Sequence, residues 1–256
     1  MLSRHDITDE HWNRIQHLLP GQTGGHGGVG SDTRTVINAI RYLAKTGIAW
    51  ADLPVCFGKS NRLWQRDNRW CQRGVWEAIA AALRDDDTEW LSVDRSCVRE
   101  NVAAAGAGKK SDGSGGQADE ALGRGCGGNG SKIHAVVTPL GHPVTLTLTG
   151  ANAADRPHLP ALIAGVRTAA VLADKGYDSD ANREAIRPHG AAPCIPPRKN
   201  RTEPIEYDRH LYRERSVVEL FFGRIKPYRR VATRYDKKSR NYLGFVWVAS
   251  IAVMLA

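Results

Sequence analysis

The order of apolar and polar positions divides the chain into a helical first third and a mixed remainder. Helical spacing recurs in four early stretches. Thr8 to Leu19 carries Trp12, Ile15, Leu18 and Leu19, with Thr8 as N-cap and Asp9 and Glu10 in the first turn. Asp32 to Lys45 repeats the pattern through Val36, Ile37, Ala39, Ile40 and Leu43; Asn61 to Trp70 and Val75 to Leu83 follow. The pattern then turns to short apolar runs. Trp90 to Asp94 predicts a strand ending in Asp94, and Ser131 to Thr138 with Pro143 to Thr149 predicts a hairpin turning at Leu140-Gly141-His142. Asp155 is placed as the cap of a helix carrying Leu159, Leu162, Ile163 and Val166. Ala169 to Ala173 is a strand ending in Asp174, followed by a helix over Asp180 to Arg187 and a strand over Ala192 to Pro196. Leu243 to Ala256 reads as a final buried helix. Strands paired first and then alternating with helices predict a mixed α/β sheet over 86–256, preceded by a small all-α domain over 1–85. Two glycine-rich stretches, 21–30 and 103–130, are expected as loops, the second a mobile one.

One amphipathic stretch carries chemistry. Tyr212, Arg215, Glu219 and Lys226 stand at about 0°, 300°, 340° and 320° around a helix turning 100° per residue. Val217, Val218, Leu220, Phe221, Phe222 and Ile225 cover its other side. A solvated face rarely sets one carboxylate among a Tyr, an Arg and a Lys; a metal-binding Glu offered to a phosphate backbone suits that set. Phosphodiester chemistry with two divalent cations needs further acids to bridge and neutralise them. Asp94 and Asp174, each closing an apolar run, supply two where open α/β sheets place their sites. Either Asp alone could be a turn former; the order Asp, Asp, Glu is stronger.

These residues resemble the DDE transposases of bacterial insertion sequences, in the branch with a Tyr-Arg-Glu-Lys signature. The likeness rests on Asp94, on Asp174 within Ala-Asp-Lys-Gly-Tyr-Asp, and on Tyr212-x2-Arg215-x3-Glu219-x6-Lys226. It extends to Gly74-Val75-Trp76-Glu77, Ser131-Lys132-Ile133-His134, Pro196 to Arg201 and Arg234-Tyr235-Asp236-Lys237. The resemblance implies a ribonuclease-H-like catalytic domain in which Asp94, Asp174 and Glu219 are catalytic and hold two Mg²⁺ ions, with Mn²⁺ able to substitute. It implies cleavage and strand transfer at terminal inverted repeats in double-stranded DNA, joining to a target, and a homodimer or larger assembly. Tyr212, Arg215 and Lys226 would grip phosphates. Arg198 and Lys199 are further DNA-binding candidates, as are Lys132 and His134, although a satisfied strand histidine is the alternative. Arg62, Arg66 and Arg69 lie in a stretch that resembles a helix-turn-helix module, the alternative being a plain three-helix core with exposed arginines.

Charge is consistent with a polyanion partner. Residues 198–256 hold 14 Lys/Arg and 6 Asp/Glu, whereas residues 1–197 hold 22 and 21. Five scattered Cys without a Cys-x-x-Cys pair predict reduced thiols and argue against structural zinc. Without an apolar leader or a run of transmembrane length, a cytoplasmic, nucleoid-associated bacterial protein with no membrane partner is expected. Two other readings stand beside the transposase: a metal-dependent nuclease of the same fold, and a DNA-binding protein derived from an inactive transposase.

Overall fold

The computed structural model describes residues 5–20, 32–85, 88–104, 116, 119–125, 127–203 and 205–256. In chain order its elements are α1 (Asp9–Ile15), α2 (Thr33–Thr46), α3 (Ser60–Gln72), α4 (Val75–Leu83), β1 (Trp90–Glu100), β2 (Gly123–Gly125), β3 (Gly128–Val137), β4 (Pro143–Gly150), α5 (Leu159–Leu162), β5 (Ala170–Ala173), α6 (Asp180–Ile186), β6 (Ala192–Cys194), α7 (Ser216–Ile225), α8 (Arg229–Ala232) and α9 (Ser239–Met254). They form two compact units: Met1–Leu83 with Glu100–Ala107 and Ile225–Ala256, and Arg84–Arg99 with Gly108–Arg224. The 21–30 stretch lies outside the described residues, as do 105–115, 117–118 and 126 of the second glycine-rich stretch.

The first unit is helical. The first two helices begin at capping residues: Thr8 accepts from the His11 amide, and Asp32 accepts from the Arg34 and Thr35 amides. α9 packs against α2, α3 and α4, burying Tyr242, Phe245, Val246 and Trp247. The C-terminal helix therefore belongs with the N-terminal ones, a correction to the single boundary expected at residue 85. Its apolar residues run round the whole cylinder, so it is enclosed by other helices instead of lying on a surface.

Arg230 and Asp67 are among the polar groups buried in this helical core. Arg230, 3% exposed, pairs with both carboxylate oxygens of Asp236 at 3.2 and 3.1 Å and donates to the Ile48 carbonyl at 2.8 Å. Asp67, also 3% exposed, accepts from the Trp76 indole at 3.1 Å. Burial pushes the Asp67 carboxyl up to about 7, against the opposing hydrogen bond from Trp76. The folded chain thus keeps a proton on Asp67 that the unfolded chain sheds near pH 4. Its contribution to stability is full below about pH 4 and declines as pH rises through about 7, by roughly 4 kcal/mol at most. Asp67→Asn should flatten that decline in urea melts taken from pH 5 to pH 8, while its amide oxygen still accepts from Trp76. An unchanged slope would place the titration elsewhere.

The second unit is a mixed sheet in the order β2-β3-β1-β5-β6, with β4 paired to β3. β1 is antiparallel to β3 and parallel to β5 and so joins the hairpin half to the α/β half. Leu91, Val93, Val171 and Ala173 bury one face against Leu159, Leu162, Ile163 and Ile186. On the other face Ala170, Leu172 and Cys194 meet Trp90, Tyr207, Leu211 and Tyr212. The end of the glycine-rich stretch is strand, correcting the loop expected through residue 130. Glycine permits the close approach, since a Cβ at Gly130 would lie 2.2 Å from the Val98 carbonyl oxygen across the sheet.

Candidate active site

Alternation along a strand decides which side chains can meet. Val93 pairs with Ala173 in the parallel register, so Asp94 and Asp174 are the next residues on neighbouring strands. Period two puts both on the face of Ser92 and Leu172, where Leu211 and Tyr212 pack. Asp94 does not end its strand, as the sequence suggested. β1 runs on to Glu100 because β3 continues to pair with it, and only the parallel ladder stops here. Asp174 does end its strand. Its Oδ1 accepts from the Gly176 amide at 2.8 Å, and a Cβ at Gly176 would stand only 2.8 Å from that oxygen.

The third acid arrives from the Tyr212–Glu219 segment. The single helix expected over Tyr212 to Lys226 is instead a 3₁₀ helix over Leu211–Arg215, then α7, with exposed Lys226 beyond its end. The tighter turn, with its i and i+3 side chains eclipsed, stacks Arg215 over the Tyr212 ring at 5.9 Å. Ser92 pins this turn to the sheet by donating its hydroxyl to the Arg215 carbonyl at 3.0 Å. Arg215 then reaches Asp94 with Nη1 at 2.9 Å, and its Nη2 pairs with Glu219 Oε1.

One guanidinium therefore stands between two of the three carboxylates. Burial, joined by the charge of Asp174, pushes the Asp94 carboxyl above the usual range, although the Arg95 amide and Arg215 oppose it. Burial also works against the Arg215 charge, but Asp94 and Glu219 outweigh it and raise its pKa. Crowded carboxylates around a cation are a donor set of the kind hard divalent ions prefer. Among the described residues no three His, Cys, Asp or Glu side chains converge on one point. Glu219, its side chain 55% exposed, is tied to the pair through Arg215. The donor types fit a hard divalent cation, with Arg215 occupying the place of a counter-charge.

The other candidates divide. Lys132 and His134 are engaged within the protein, and for His134 this is the satisfied strand histidine that the sequence held as the alternative. Lys132 is 8% exposed, and its ammonium binds the Ala153 carbonyl at 2.5 Å and Asp155 Oδ1 at 2.8 Å. His134 is fully buried, bonded to the Thr149 hydroxyl at 2.8 Å, and burial with His158 beside it pushes its pKa down to about 4. Asp155 makes no capping hydrogen bond at the turn it precedes, contrary to expectation. Both its oxygens are taken, by Lys132 and by Arg95 at 2.8 Å. Arg198 donates to the Lys175 and Gly176 carbonyls at 3.2 and 3.0 Å, holding the turn that carries Asp174. Arg66 bonds the Thr33 hydroxyl at 2.6 Å and stacks on Trp70 at 4.9 Å. Arg62, Arg69 and Lys199 are exposed.

Sequence reasoning missed Asp178. Its side chain, 1% exposed, accepts from Arg183 Nε at 3.0 Å, Arg201 Nη1 at 3.1 Å and the Arg198 amide at 2.9 Å. The signal was present in Asp174-Lys-Gly-Tyr-Asp178, whose second acid is as fixed in place as the first.

Comparisons with known proteins identify the family. Residues 106–255 match the family model "Transposase DDE domain", and residues 7–80 match "Putative transposase of IS4/5 family". The chain is 34% identical over 127 residues to "Putative transposase for insertion sequence element IS6501" of Brucella ovis, covering 49% of this chain and 98% of that protein. It is 33% identical over 129 residues to "Putative transposase for insertion sequence element IS402" of Burkholderia cepacia, covering 46% and 59%. A "Transposase for insertion sequence element IS1106" of Neisseria meningitidis is 36% identical over 100 residues, 37% of this chain and 35% of that protein. No solved structure matches. No helix among the described residues is long and apolar enough to cross a membrane.

Proposed function

The chain belongs to the DDE transposases of bacterial insertion sequences, and from that premise we propose that Asp94, Asp174 and Glu219 are its catalytic carboxylates, acting on the terminal inverted repeats of its element. The observation that carries the assignment is the placement of Asp94 and Asp174 side by side past the last parallel pair, with Arg215 between Asp94 and Glu219. A DDE domain works with divalent metal, and the three carboxylates would hold two Mg²⁺ ions here. When bound, the metal supplies charge neutralisation at the phosphate and activation of the attacking oxygen.

The chain's own groups do the rest. Arg215 has a planar fork suited to a phosphate once its carboxylates are engaged elsewhere, and Tyr212 beneath it fixes the plane of that fork. Lys199 adds an exposed point charge for a phosphate contact, and Lys226, just past the end of α7, adds another. The Gly176 turn, braced by Arg198, keeps Asp174 aimed at the same face as Asp94. In the helical unit, exposed Arg62 and Arg69 on α3 suit a helix-turn-helix-like contact with the duplex. Two element ends joined to one target call for a homodimer or larger assembly on DNA, working in the bacterial cytoplasm. The ribonuclease-H-like reading of the second unit rests on the DDE match together with its mixed sheet.

The deciding experiment uses labelled duplex DNA carrying the element's flanking inverted repeat, with Mg²⁺ or with EDTA. Nicked and joined products that need both the metal and the repeat are expected. Binding to the repeat without any product in Mg²⁺ or Mn²⁺ would instead identify a DNA-binding relic, and nicking without joining would identify a nuclease.

A further inference from the structure

Arg95 stands where the parallel half of the sheet stops. β5 pairs with β1 only as far as Val93, so the stretch of β1 beyond it carries Asp94 on one face and Arg95 on the other. The Arg95 side chain is 40% exposed and lightly held. Its Nε donates to Asp155 Oδ2 at 2.8 Å, and its Nη1 lies 3.5 Å from the Cys97 sulfur, a weak acceptor. Most of the guanidinium fork is thus left for another partner. The anchor on Asp155 is also one that can be released. Lys132, 8% exposed, binds the other oxygen of Asp155 at 2.8 Å, so Asp155 keeps a counter-charge when Arg95 leaves. Without that lysine, release would strand a partly buried carboxylate.

A second donor stands ready at the same place. Tyr177 is 1% exposed, its ring packed with Leu91, Val93 and Ile186, and its hydroxyl is buried with no hydrogen-bond partner. Burial pushes the pKa of that hydroxyl up, and the charges of Asp155, then Asp94, then Asp174 push it further. The hydroxyl therefore keeps its proton in a neighbourhood of three carboxylates. Each of those carboxylates is already engaged: Asp94 by Arg215 and the Arg95 amide, Asp174 by the Gly176 amide, and Asp155 by Lys132 and Arg95. Buried hydroxyls are nearly always satisfied, so one left open here calls for a second arrangement in which it donates. Asp155 is the carboxylate whose present partner is the most exposed.

We propose that Arg95 is a latched phosphate ligand: when DNA arrives its guanidinium leaves Asp155 for a backbone phosphate, and the Tyr177 hydroxyl takes its place on Asp155. The planar fork of an arginine suits two phosphate oxygens. Because Arg95 faces away from Asp94, the phosphate it takes is not the one at the cleaved bond. A DNA strand crossing this part of β1 meets the carboxylates on one face and the arginine on the other. Arg99, exposed and four residues further along the strand, lies on the same face as Arg95 and continues the positive charge. The proposal rests on the DNA-handling reading above and adds to it a contact outside the Tyr212–Lys226 stripe.

The test is binding of the full chain, without metal, to a fluorescent duplex carrying the flanking inverted repeat, over about 50 to 200 mM salt. In Arg95→Gln the slope of log affinity against log salt should shrink by about one, with affinity about tenfold weaker at the middle of that range. Arg95→Lys keeps the charge and should keep the slope. Tyr177→Phe should weaken binding about threefold, the scale of one lost hydrogen bond, with the slope kept. It should have no further effect once residue 95 is Gln, because nothing then leaves Asp155. Thermal melts of the free proteins separate this from damage to the fold: Tyr177→Phe should melt no lower than wild type, since it removes only an unmatched hydroxyl. An unchanged slope in Arg95→Gln overturns the proposal, leaves Arg95 as an internal partner of Asp155 and keeps the transposase reading intact. Wild-type affinity in Tyr177→Phe overturns the exchange whether or not Arg95→Gln folds, and so does an equal loss with and without Arg95. Failure of the wild type to bind the duplex would overturn the DNA-handling reading as well.

Discussion

Asp94→Asn, Asp174→Asn and Glu219→Gln are each expected to lower strand cleavage about a thousandfold or more while binding to the inverted repeat is kept. Each exchange preserves size and removes one negative charge from a cluster whose work is to gather positive charge at a phosphate. Such charge stabilisation is worth several kcal/mol, and each 1.4 kcal/mol is about a factor of ten in rate. Arg215→Gln separates this from simple crowding. The guanidinium now links Asp94 at 2.9 Å with Glu219, and without it two carboxylates face each other with no counter-charge. Mn²⁺ binding, followed by calorimetry on the protein alone, should tighten about fivefold or more in Arg215→Gln, since a competing cation a few Å away carries a Coulomb term of about 4 kcal/mol before screening. Cleavage should nonetheless fall, because the phosphate loses its fork. Mn²⁺ affinity that weakens in Arg215→Gln would show the arginine to be a scaffold for the carboxylates instead of a stand-in for the ion. Full cleavage by the Glu219→Gln variant would place the active site elsewhere.

Much of this site was legible because its elements obey local rules. Val75–Leu83 has the bounds its periodicity predicts, and Ser179 and Asp32 cap their helices as residues of their type do. The runs leading into Asp94 and Asp174 are short and apolar, and their identity as strand needs no knowledge of their neighbours. What failed was everything set by partners distant in sequence. Asp155 looks like a cap and is instead the shared anion of Lys132, 23 residues away, and Arg95, 60 residues away. Lys132 looks like an exposed cation on a strand, but the β1–β3–β4 pairing encloses it. The Tyr212–Lys226 stripe is periodic enough for one helix, yet the packing of Leu211 and Tyr212 onto the sheet tightens its first turn into a 3₁₀ helix. The C-terminal helix shows no polar face that would say which elements enclose it, so its place among the N-terminal helices could not be read ahead.

Asp178 provides the sharpest test of how far those unread contacts matter. Asp178→Ala should destabilise the fold by about 3–5 kcal/mol, the cost of leaving buried charges without their partner. Arg183, with its side chain 6% exposed, and Arg201, at 16%, both converge on Asp178 Oδ1. Burial alone would raise the Asp178 carboxyl, but the Arg198 amide and the two guanidinium groups outweigh it and hold the group below the ordinary carboxylate range. The folded chain therefore keeps Asp178 ionised where the unfolded chain would protonate it. The stabilisation is complete above about pH 4 and is lost as pH falls through the depressed native value. Urea melts should show wild type and Asp178→Ala far apart at pH 7 and drawing together in acid. The same change should reach the active site by a traceable route. Asp178 holds the Arg198 amide, Arg198 holds the Lys175 and Gly176 carbonyls, and that turn aims Asp174. Asp178→Asn keeps the shape and the capacity to accept from Arg198, so it should recover much of the cleavage lost in Asp178→Ala while remaining less stable than wild type. If Asp178→Asn and Asp178→Ala lost cleavage equally at a temperature where both are folded, the charge on Asp178, and not its bond to Arg198, would be what positions Asp174.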